Sequence, residues 1–196
     1  PPLGGFRDVR DILKRAELGA TLEPHDLTAI GSVLYTARRV KNFLAGYSET
    51  KPMLIQLVKN IIVLRDLENT IEMTITEQGT IRDDASAELM RLRRDIRIAQ
   101  ARIREKTDQI LHSHEYQKYF QDILVTIRGD RYVIPVKQEY RHVFPGIIHD
   151  QSASGATVFI EPMAVVHLNN ELKQFMAAEK NEVERILYLV SQQVAL

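Results

Sequence analysis

The chain contains no cysteine among its 196 residues. That excludes disulfides and every cysteine-ligated metal site, and it is compatible with a reducing compartment. There is no excess of either charge, since Lys plus Arg number 26 and Asp plus Glu number 26. A strongly basic nucleic-acid module would show in the net charge, so any binding surface has to be a local patch. No apolar run approaches the length of a membrane span, and no signal-peptide pattern opens the chain. No GxxxxGK[ST] phosphate loop occurs, and no internal repeat runs at a fixed period. The first residue is Pro1 and the last, Leu196, falls inside a helical pattern. The expectation is a piece of a longer protein.

Helical periodicity dominates what is present. Residues 8–18 place Val9, Ile12, Leu13 and Ala16 on one face, with Gly19 as the stop. A second helix starts near Pro24, carries Leu27, Ile30, Leu34, Ala37 and Val40, and ends around Gly46. A third starts by Pro52 and runs through Leu54, Leu57, Val58, Ile61 and Leu64. Residues 71–82 are less regular, and Thr74, Thr76, Gly79 and Thr80 point to a turn or a brief extended piece. Beyond them Leu89, Leu92, Ile96, Ala99, Ile103 and Ile110 follow a heptad seam to about Tyr116, with Asp83 or Asp84 placed to cap its start. Residues 163–196 carry a second apolar stripe, Val165, Leu168, Leu172, Phe175, Val183, Ile186, Val190 and Val194, opened by Pro162 and interrupted by Glu179.

Between the two seams the period changes to two. Ile123, Val125 and Ile127 alternate with Leu124, Thr126 and Arg128, Gly129-Asp130 fits a type II′ turn, and Arg131–Val136 returns. Pro135 in that returning strand argues for an edge position or a strand end. A looser stretch reaches Pro145-Gly146. A second pair follows, Ile147–Gln151 and Ala156–Ile160, joined through Ser152–Gly155. The expected fold is mainly α: a helical core over 1–82, a first long helix over 83–120, a small antiparallel β element over 121–161 and a second long helix over 162–196. The two long helices should pack as an antiparallel coiled coil, because neither can bury its stripe alone. Thirty helical residues span about 45 Å, which would put the β element at the end of an arm.

The chemistry-bearing residues are basic. Arg128, Arg131, Lys137 and Arg141 lie on the β element, with Tyr132, Tyr140 and Phe144 interleaved, a combination suited to single strands or nucleic-acid backbones. Lys and Arg also protect sheet edges from unwanted pairing, so both readings stand. Arg91 and Arg94, among other arginines of the first long helix, form either a phosphate track or a solvated coiled-coil face. The histidines lack metal spacing. Ser152 and Ser154 beside His149 and Asp150 have no nucleophile elbow, and a turn accounts for them. No catalytic, cofactor or metal residue is expected in this span.

The stretch from Gly129 to Leu172, GDRYVIPVKQEYRHVFPGIIHDQSASGATVFIEPMAVVHLNNEL, resembles the MutS type 2 family. GGFRDVRDILKRAELGATLEP and GTIRDDASAEL resemble it too. The resemblance implies a helical core, two lever helices and a nucleic-acid-touching clamp. It further implies a cytoplasmic, ATP- and Mg-dependent homodimer, with an ATPase domain and often a Smr endonuclease domain elsewhere in the protein. The implied partners are branched DNA or the ribosome and its RNA, engaged by positioning rather than catalysis, with no membrane. The alternative is a coiled-coil or protein-interaction module with no nucleic-acid binding of its own.

Overall fold

The computed structural model describes residues 7–45, 56 and 59–196. The chain divides into two compact units, Pro1–Met90 with Lys180–Leu196, and Arg91–Glu179. Both divisions fall inside long helices.

In the first unit, α1 (Arg10–Glu17) buries Ala16, and Ile12 within it and Val9 just before it pack against the same core. It stops at Gly19, whose φ of +82° is open to glycine at no steric cost. Helix α2 (Pro24–Ala45) begins on its proline. The Glu23 N–H donates to Asp26, and the same buried carboxylate accepts from Arg15 at 2.7 Å. Helix α3 (Arg65–Thr74) lies against α2 where Gly31 permits a close approach, since a Cβ there would sit 3.1 Å from Ile71 Cγ2. Arg38 donates two 2.8 Å bonds to Glu68, and Arg65 adds a third cationic contact. The Arg38 guanidinium accordingly holds the Glu68 carboxyl below the usual carboxylate range. Leu22, Leu27, Ile30, Ile71, Leu89, Ile186 and Val190 share this core.

Two expectations change here. Pro52 to Val58 lies outside the described residues except for Gln56, while Ile61 and Leu64 are not helical. The helix is α3 instead, and it takes in Ile71–Thr74. Its few apolar residues, Leu67, Ile71 and the exposed Met73, give too thin a stripe to read against RDLENTIEMT. Only the end of the irregular stretch is extended, as an Ile75–Ile81 bridge around Gly79.

The long helices are α4 (Ala87–Leu111) and α5 (Val166–Val194). Ser86 caps α4, accepting the Leu89 N–H at 2.9 Å and donating to Glu182 at 2.7 Å. Asp84 is instead paired with Arg82. Helix α4 ends at Leu111 rather than near Tyr116, and a 3₁₀ turn follows at Gln117–Tyr119. Pro162 closes a strand, and a 3₁₀ turn over Met163–Val165 precedes α5.

In the second unit, Ala99 and Ile103 of α4 meet Leu172 of α5, with Ile96, Leu168 and Phe175 around them. Arg93, earlier in α4, contacts Glu179, later in α5, whereas Ala99 and Ile103 meet the earlier Leu172, so these segments are antiparallel. Glu179, the interruption of the stripe, accepts from Arg93 Nε at 2.8 Å. The sheet has four antiparallel strands, β1 (Thr126–Arg128), β2 (Arg131–Lys137), β3 (Gly146–Gln151) and β4 (Thr157–Pro162), in the order β1-β2-β4-β3. Strand β1 is shorter than the alternation predicted, because Ile123–Val125 is not paired. Gly129 sits at φ +62° in the hairpin turn.

Strand β2 is an inner strand, contrary to the reading of Pro135. The proline is tolerated because β1 ends at the Thr126–Val133 pair. At Pro135 the neighbour on that side is Gln121, which donates to the Pro135 carbonyl at 2.9 Å. A residue's N and O point the same way from a strand, so the missing N–H falls where no ladder partner needs it. Ile134, Val136, Val158, Ile160, Phe120, Phe144 and Leu111 form the core of this unit.

Candidate nucleic-acid interface

The structure separates the six basic candidates into three settings. Arg128 and Arg131 border a cleft of about 490 Å³ formed by the β1–β2 turn, β3, β4 and α5. Arg128 stacks 3.8 Å above the centroid of Phe159 and pairs with Asp150 at 3.1 Å. Arg131 is turned inward, with its side chain about a tenth exposed. Its Nη2 donates a 2.7 Å bond to Asn170 and forms an ion pair with Glu161 at 2.7 Å, while its buried Nε has no partner. Glu161 is wholly buried. It also accepts from Asn169 at 2.8 Å and lies 2.5 Å from His149 Nε2. Asn169 donates to the Tyr132 carbonyl as well. One buried carboxylate therefore ties β2, β3, β4 and α5 together. Across the cleft Lys173 sits 2.7 Å from Asp130 and holds that carboxyl below its usual range. Each cation here has an acid beside it.

Arg91 and Arg94 occupy α4. Both contact Asp95, at 3.4 and 3.3 Å, and Arg94 remains well exposed. Surface pairs of this kind are worth little.

Lys137 and Arg141 are different. Phe120 bridges to Val136, which carries the 3₁₀ turn at Gln117–Tyr119 alongside the end of β2. Lys137 Nζ donates to the Lys118 carbonyl at 3.2 Å, leaving its charge without a carboxylate. The Lys118 ammonium lies 5.0 Å from the centroid of Tyr119, and that ring is 4.8 Å from Tyr140. A second 3₁₀ turn, Gln138–Tyr140, leads directly into exposed Arg141. Lys118, Lys137 and Arg141 make no ion pair among the described residues. Glu139 is the acid nearest in sequence to Lys137 and Arg141, and Glu115 the one nearest to Lys118. Beneath them Tyr116, Phe120 and Phe144 pack edge-on at 5.5 Å centroid spacings and fix both turns. Lys118 and Tyr119 were not among the sequence candidates. Nothing local marks them; they join the site through the Phe120–Val136 bridge, the Lys137 bond to the Lys118 carbonyl and the Tyr119–Tyr140 contact.

Among the described residues no cluster of three or more His, Asp and Glu is placed to hold a metal ion. No helix among them is long and apolar enough to cross a membrane. Ser152 accepts the Thr157 N–H at 3.1 Å and serves its turn.

No family model matches the chain. Curated relatives do. It is 50% identical over 196 residues to a protein of Brevibacillus brevis called Endonuclease MutS2, covering 99% of this chain and 25% of the relative. It is 48% identical over 189 residues to the Endonuclease MutS2 of a Geobacillus species, covering 95% of this chain and 24% of that protein. With the protein of the same name from Pelotomaculum thermopropionicum it shares 47% over 192 residues, 98% of this chain and 24% of the other. The chain belongs to the MutS2 family. It spans about a quarter of the length of the relatives it matches.

Proposed function

We propose that this chain is the nucleic-acid-contacting part of a MutS2-type protein, working as the core, lever and clamp of an ATP-driven homodimer in the cytoplasm. Its targets are branched DNA or ribosomal RNA on ribosomes. It acts by holding phosphates and carries no catalysis of its own. The observation behind this is the corner formed by Lys118, Lys137 and Arg141, three neighbouring cations without acid partners beside two tyrosines. Contacts of this type position a backbone and carry no sequence information. The relatives' name includes endonuclease, and in this reading the nuclease and ATPase chemistry resides in the three quarters of their length that the chain does not match. The residues here offer no phosphate loop for ATP and Mg, so no step is routed through either.

Gel shifts with a four-way DNA junction and with ribosomal RNA, at two salt concentrations, test the proposal. Binding should weaken steeply with salt and be lost in the Lys118→Gln/Lys137→Gln/Arg141→Gln variant. Equal binding by the variant sinks it. The competing reading, a protein-interaction module, draws on Val143, Ile147 and Met163, which stand exposed about the outer strand β3. It requires no binding to either nucleic acid at low salt.

A further inference from the structure

We infer that the basic corner is a single-strand site, with Tyr119 and Tyr140 as stacking platforms for unpaired bases. This rests on the proposed nucleic-acid role and narrows its substrate to single-stranded segments. A duplex offers phosphates alone to a patch of this kind, and lysines and an arginine suffice for that. The corner adds two aromatic rings between the cations. Their centroids are 4.8 Å apart at 46°. Each is half-buried, packed on one side against the apolar cluster of Ile134, Val136 and Val158. Neither hydroxyl has a hydrogen-bond partner among the described residues. The Lys118 ammonium lies 5.0 Å from the centroid of Tyr119, and an incoming base would take its place on the ring while the ammonium contacts the adjoining phosphate. Every base has a π face, so such a platform tolerates sequence, and loss of an aromatic ring typically costs about 1–3 kcal/mol per base. The Arg128–Phe159 stack does not compete as a platform, because the guanidinium at 3.8 Å already occupies that ring and is tied to Asp150.

The 196-residue chain lacks tryptophan, so its own ultraviolet emission reports on tyrosine. Oligothymidine added to the native protein should quench that emission. Fluorescence anisotropy is then measured with a labelled oligothymidine and with a blunt duplex. In Tyr119→Ala/Tyr140→Ala, single-strand affinity should fall about tenfold or more, while duplex affinity holds. Tyr119→Phe/Tyr140→Phe keeps the rings and the packing, so it should retain single-strand affinity and lose most of the quenching. If the Phe variant quenches as the native protein does, or if native emission is unchanged on binding, the stacking site is wrong whatever the Ala variant's folding. Equal losses for single strand and duplex in a folded Ala variant also overturn it. Failure of the underlying role looks different: the Lys118, Lys137 and Arg141 substitutions would then leave both affinities untouched.

Discussion

Arg131 and Arg141 are ten residues apart and chemically identical, yet they sit in opposite circumstances. Arg131 is buried and spent on Glu161 and Asn170, inside a cleft where each cation has an acid beside it. Arg141 is exposed on a corner whose cations have none. A buried charge must be matched or it destabilises the fold, so the cleft residues hold strands together. An unmatched exposed charge remains free for a ligand. The difference shows that a basic residue's availability follows from what the fold has placed beside it, which its neighbours in sequence do not reveal.

The comparison breaks most visibly at Glu161. Glu161→Ala leaves Arg131 buried without its counter-ion and should cost about 3–5 kcal/mol, read by urea unfolding. A loss below about 1 kcal/mol would mean that the cleft pairs are not structural. A smaller effect should come from Gly146→Ala, where a Cβ would collide with the Glu161 carbonyl oxygen and with Ile160 Cγ2. Pushing β3 from β4 should cost about 1–3 kcal/mol on the same measurement.

Acid sharpens the comparison in the helical unit. The Arg185 side chain bonded to Glu182 holds that carboxyl down at about 2 from an ordinary 4.5, with Ser86 assisting. A depressed carboxylate contributes stability that is present above the unfolded value and lost as pH falls through the folded one. Stability from this group should therefore fade between pH 4.5 and 2, and Glu182→Gln should flatten that part of the pH profile. At the small end, replacing Lys118, Lys137 and Arg141 with Gln should change unfolding free energy by no more than about 0.5 kcal/mol. A large loss would place the corner with the cleft.

How much of this was legible depends on how local each feature is. The hairpin at Gly129-Asp130, the β3–β4 pair and the facing seams of Ala99, Ile103 and Leu172 were readable, because turn chemistry and periodicity are written in consecutive residues. Helix α3 was missed because its burial depends on Gly31 in another helix. Ser86 was passed over for the more acidic Asp83 and Asp84, since the cap is decided by where the helix turns and by Glu182, far along the chain. For the site, basic and aromatic content was visible, but its partition was not. Glu161 lies thirty residues from Arg131, and Lys118 lies nineteen from Lys137. Only the strand order and the Phe120–Val136 bridge pair the first and free the second.

The salt dependence of oligothymidine binding, native against the Lys118→Gln/Lys137→Gln/Arg141→Gln variant, tests the central distinction most directly. Removing three phosphate contacts should lower the slope of log K against log salt by about 2, with binding weakened at every salt concentration. An unchanged slope and affinity would contradict the account and return the corner to a solvated surface.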